Sequence, residues 1–91
     1  MAALAQPDLQ ETAIRNALAT IPLPEGAWLR RLEFRNDSTG DPAVYVVYAV
    51  TEPPYIDENR GLELMRLREA VSSRLWDIGL DLPAYTMYIE A

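Results

Sequence analysis

The 91-residue chain contains no cysteine, no histidine and no lysine. Without cysteine there is no disulfide, no thiolate nucleophile and no thiolate metal site. Without histidine the usual general base and the best neutral metal ligand are missing. Without lysine no amine is present to form a Schiff base. Any enzymatic step would fall to carboxylates, Tyr, Ser or Thr. No apolar run approaches the ~18–20 residues that a membrane-spanning helix needs, and Met1-Ala2-Ala3-Leu4-Ala5-Gln6 lacks the basic flank and apolar centre of a secretory leader. The expectation is a cytoplasmic protein with no cofactor, no metal and no membrane association.

What remains is ordinary globular material, 49% hydrophobic and 24% charged. A chain this short forms one small domain with little margin for a sizeable core, so association would help it. Residues 1–6 read as a flexible arm and residues 7–91 as the domain. The net charge of −6 repels phosphate backbones over the molecule as a whole, which makes nucleic acid an unlikely partner. All eight cations are arginines, and those on the second helix are expected on a solvated face, paired with neighbouring acids.

Pro7-Asp8 opens a helix that carries Ala13, Ile14, Ala17, Leu18 and Ile21 at three- and four-residue spacings. Pro22 and Pro24 stop it. From Ala27 to Arg35 the pattern is that of a half-buried strand, with Trp28, Leu32 and Phe34 on the core side. Arg30 is the exception to that parity. Asn36 to Pro42 is a polar turn in which Asp37 accepts backbone N–H bonds and Gly40 takes the left-handed conformation. Asp37 and Asp41 lack the spacing and the further ligands of a calcium loop.

Residues 43–51 follow as a strand that is apolar on both parities, Ala43, Tyr45, Val47 and Ala49 on one and Val44, Val46, Tyr48 and Val50 on the other. Glu52-Pro53-Pro54-Tyr55 is a stiff connector. With Asp57 as its N-cap, a helix is expected over residues 58–78, with Gly79 ending it. Its main stripe is Leu64, Leu67, Val71, Leu75 and Ile78, widened by Met65 and Trp76. A third strand covers 84–90. The order αββαβ makes an α+β fold, a two-layer sandwich with two helices on one face of a three-stranded mixed sheet. The doubly apolar strand belongs at its centre, and the strand order is one, two, three.

In outline the whole chain resembles the type II KH domain and the ribosome-binding factor A family. The likeness is carried by Asp41-Pro42-Ala43-Val44-Tyr45-Val46 and by Leu67-Arg68-Glu69-Ala70-Val71-Ser72-Ser73-Arg74-Leu75. That resemblance implies RNA or ribosome binding, with Arg30, Arg31, Arg35, Arg66, Arg68 and Arg74 as phosphate contacts. The Gly-X-X-Gly loop of KH domains is absent. The order is also similar to the cytoplasmic domain of cation diffusion facilitators, whose histidine ligands this chain lacks. A third resemblance covers residues 28–90: small uncharacterised bacterial proteins with an Asp-Ser-Thr-Gly-Asp-Pro-Ala hairpin, here Asp37 to Ala43. It implies a binding role beside a toxin-like or nucleotidyltransferase-like partner protein.

Three functions follow as expectations. The first is a non-enzymatic interaction protein, a homodimer or the small subunit of a two-protein system, toxin-antitoxin-like or defence-like. It binds through the second apolar face of the central strand, with Val44, Val46, Tyr48, Val50 and Tyr88 as the contact residues. The second is the RNA-binding alternative. The third is a carboxylate enzyme using Asp37 and Asp41 with Tyr45 or Tyr48, which lacks a recognisable base, nucleophile and oxyanion donor together. The expected reading is therefore not an enzyme.

Overall fold

A computed structural model describes residues 7–52 and 56–91. The arm expected at residues 1–6 and the Pro53-Pro54-Tyr55 part of the connector lie outside the described residues. Five elements follow in the expected order: α1 Pro7–Leu18, β1 Ala27–Asn36, β2 Pro42–Val50, α2 Glu58–Asp77 and β3 Ala84–Glu90. β2 lies between the other two strands, antiparallel to β1 and parallel to β3. The parallel pair is joined through α2, as a parallel connection requires. The fold is the α+β sandwich expected from the order of elements.

α1 is short, and it holds its place by burying Ile14, Ala17 and Leu18, with Ile21 just beyond its end. Its last turn is closed by Ala19 N–H donating to Arg15 O at 2.9 Å, and Pro22 cannot continue it. Ala13, expected on the apolar stripe, is exposed. α2 starts where Asp57 accepts from Arg60 N–H at 2.8 Å, satisfying one of the free donors of the first turn. Leu64, Leu67, Val71 and Leu75 line its buried side. At the far end Gly79 N–H donates to Trp76 O at 2.9 Å, and Leu80 N–H to Leu75 O at 3.2 Å. Three residues depart from the expected stripe. Ile78 lies past the last helical turn, and Met65 and Trp76 project away from the core; all three are exposed.

The core settles which face of β2 is covered. Val44, Val46, Tyr48 and Val50 pack against Ile14 and Leu18 from α1 and against Leu64, Leu67, Val71 and Leu75 from α2. Alternate residues of a strand point to opposite faces, so Ala43, Tyr45, Val47 and Ala49 lie on the face without helices. β1 contains a bulge: Leu29 stands opposite Tyr48 and Arg31 opposite Val47, leaving Arg30 as the extra residue. One inserted residue reverses the parity on either side of it. Leu29, Leu32 and Phe34 therefore join the core, while Trp28, opposite Ala49, turns to the open face. Trp28 was expected inside. Arg30, the residue that broke the pattern, is the bulge.

Candidate interaction surface

Val44, Val46, Tyr48, Val50 and Tyr88 were expected to bind a partner, and their position in the fold corrects that expectation. The first four are fully buried beneath the helices. Tyr88 is part-buried against them and donates its hydroxyl to Leu64 O. Both parities of β2 are apolar, so the covered set was open from sequence; the helices took it.

On the open face the small residues of β2 form the floor and longer side chains from the flanking strands stand over them. Val47 is only 1% exposed although no helix covers it. Its neighbours across the sheet are Arg31 and Met87. Those of Tyr45 are Glu33 and Tyr85, and those of Ala49 are Trp28 and Ile89. The water-facing parts are the ring of Trp28, 42% exposed, with Tyr85 and Met87 close behind. Long side chains thus lie with their apolar bodies over the stripe.

The polar groups of this face are organised by Glu33. Its carboxylate takes Arg31 Nε at 2.7 Å and Arg35 Nε at 3.0 Å, and the hydrogen bond from Arg31, then that from Arg35, lowers its pKa. Arg35 then spans the sheet. Its guanidinium carbon lies 3.6 Å from the centre of the Tyr45 ring, and its Nη2 is 3.8 Å from the Met87 sulfur. Cation–π contact of this kind stabilises both partners. Tyr45 in turn stacks on Tyr85 with ring centres 5.2 Å apart. This sequence of contacts crosses all three strands.

The turn between β1 and β2 is attached to the same face. Asp37 Oδ1 accepts from Thr39 N–H at 2.9 Å, Thr39 Oγ1 at 2.6 Å and Asp41 N–H at 3.1 Å. Gly40 has φ +88°, as the turn requires. Asp37 Oδ2 accepts from Tyr85 OH at 3.0 Å. Led by the Thr39 hydroxyl, these donors hold the Asp37 pKa down at about 2. Among the described residues no three His, Cys, Asp or Glu come together in a way that could hold a metal ion.

The six arginines named as phosphate contacts do not share a surface. Arg31 and Arg35 lie on the open face, Arg30 at the bulge, and Arg66, Arg68 and Arg74 on α2 in the other layer. Arg68 reaches the edge of the sheet, with Nη2 3.5 Å from Thr86 O.

Arg60 is a further residue whose place was not expected. It is 4% exposed, inside the first turn of α2. Nε donates to Glu52 O at 2.6 Å and Nη1 to Glu25 O at 3.0 Å, with Glu63 Oε1 at 3.3 Å. One guanidinium thereby joins the residues before β1 and after β2 to the start of α2. The signal was present in the spacing, since Arg60 precedes Leu64 by four on the buried stripe. A cleft of ≈ 300 Å³ lies between α1 and the sheet, lined by Arg15, Leu18, Ile21, Leu23, Leu29 and Tyr48 among others. The Tyr48 hydroxyl is buried with no hydrogen-bond partner among the described residues, and burial raises its pKa to about 12.

Comparison with protein-family models, with curated proteins and with solved structures finds no match to this chain.

Proposed function

We propose that this chain is a small non-enzymatic interaction protein, acting as a homodimer or as the small subunit of a bacterial two-protein system. The observation that carries the reading is the open sheet face. Half of a two-layer sandwich is left without a covering layer, and it presents Trp28, Tyr85 and Met87 around a buried aliphatic floor. Aromatic side chains, Met and Arg over a well-packed centre are the composition that interfaces favour. Arg31, Glu33 and Arg35 border the apolar patch as a polar rim in which the two guanidiniums share the one Glu33 carboxylate.

The non-enzymatic part of the reading rests on chemistry. The absent residue types remove the thiol and amine nucleophiles and the histidine base, and the acids of the turn, Asp37 and Asp41, are occupied with backbone and hydroxyl donors. RNA binding has weaker support. Its arginines divide between two layers, and the ring of Tyr45, which would stack on a base, already carries Arg35.

The test is the mass in solution of the purified chain, alone and co-expressed with the products of neighbouring genes. The reading expects a mass above the 10.3 kDa of one chain, from self-association or from a stable complex. A chain that remains at 10.3 kDa in both settings would overturn it.

A further inference from the structure

The two edges of the sheet are unequal. β1 carries the Arg30 bulge and the charged series Arg31, Glu33, Arg35, devices that discourage another strand from pairing. β3 has neither. Its register with β2 runs without a break, and no charged residue occurs from Ala84 to Ile89. Val44 N–H donates to Pro83 O and Ala91 N–H to Val50 O, so the odd-numbered residues of β3 direct their backbone groups toward β2. The alternate residues, Thr86 and Tyr88, direct theirs to the free edge.

α2 overhangs that edge. Arg68 reaches Thr86 O, and its guanidinium lies 6.0 Å from the Tyr88 ring. Residues three or four positions away share its side of the helix, which places Met65 and Ser72 there, with Trp76 one turn beyond Ser72. Met65 is half exposed, and Trp76, at 83%, is the most exposed large hydrophobic residue among those described.

Resting on the interaction reading above, but through the sheet edge and not the open face, we propose that the partner is a second copy of this chain, joined antiparallel along β3 into one six-stranded sheet. The two-fold axis passes beside Met87, the middle of the strand. Once Arg68 gives up the Thr86 carbonyl, Thr86 forms a hydrogen-bonded pair with Tyr88 of the other copy, Met87 faces Met87, and Tyr85 faces Ile89. No like charges meet along the strands. A seven-residue edge about 23 Å long buries only roughly 300 Å² per copy, well short of the ~800 Å² of a standard interface. The α2 helices, antiparallel across the same axis, add Met65 and Trp76, and with a large aromatic side chain contributing some 150–250 Å² the buried area reaches roughly 600 Å² per copy, the low end of the standard range.

The absence of native cysteine makes single-cysteine cross-linking specific. Met87→Cys meets its own counterpart at the axis and is expected to give a covalent dimer on mild oxidation, while Trp28→Cys, on the same face but at the β1 side, gives none. Trp76→Glu, outside the sheet, is expected to weaken the dimer about tenfold by light scattering, whether or not the Met87 variant folds. If Trp28→Cys cross-links, Met87→Cys does not and Trp76→Glu leaves the dimer unchanged, edge pairing is wrong and the interaction reading survives through the open face. A natural chain that stays monomeric at high micromolar concentration would also overturn the pairing, leaving the function to a different partner protein.

Discussion

The hydroxyl of Tyr85 donates to Asp37 Oδ2 across 3.0 Å, so the last strand of the chain is tied to the turn between the first two. The Asp37 carboxylate is also the centre of that turn, which gives it two structural tasks and an acidic pKa of about 2.

A pH dependence follows. The Asp37 pKa is lowered on folding from its ordinary 3.8 to about 2, so its contribution is complete above the unfolded value and is lost as pH falls through the folded one. Carboxylate chemical shifts should show Asp37 titrating near pH 2, with the turn amides of Thr39 and Asp41 losing protection over the same interval. Tyr85→Phe should move the Asp37 midpoint upward and leave the Glu33 titration in place, since Glu33 is held by Arg31 and Arg35.

Arg60 is expected to be the most sensitive charged residue. Arg60→Met keeps the apolar stem but leaves the carbonyls of Glu25 and Glu52 without their donor, costing about 2–4 kcal/mol in urea unfolding. Arg60→Lys should recover only part of this, because an ammonium cannot reproduce the planar fork. Beside it, Gly26 has φ +73°, and a Cβ there would collide with the Thr51 hydroxyl. Gly26→Ala should therefore also destabilise, by about 1–2 kcal/mol.

Tyr48 should behave in the opposite sense. Its ring fills the core, but its buried hydroxyl lacks a hydrogen-bond partner among the described residues. Tyr48→Phe should raise stability by about 1 kcal/mol, because it removes the desolvation cost and keeps the packing. Tyr48→Ala should lower it by about 3–5 kcal/mol. A loss on Tyr48→Phe would mean that the hydroxyl is satisfied in solution.

Much of the architecture was legible in the residues. Apolar spacing located both helices, Asp57 and Gly79 marked the ends of α2, and the Asp37 to Pro42 turn announced the hairpin. The choice of faces was not legible. β2 is apolar on both sides, so its pattern carries no preference, and the neighbouring β1 reverses parity at Arg30. A single extra residue moved Trp28 from the expected core to the open face and brought Leu29 in. The expected contact residues failed for the same reason, since Val44, Val46, Tyr48 and Val50 are the set that the helices cover. Arg60 was hidden by its type, because charge suggested solvent while its position on the stripe pointed inward.

The account is tested most directly by amide hydrogen exchange along β3 at several protein concentrations. Pairing along this edge predicts that the Thr86 and Tyr88 amides, which face away from β2, exchange more slowly as concentration rises, while amides on the outer edge of β1 do not change. Exchange at Thr86 and Tyr88 that is fast and independent of concentration would contradict it.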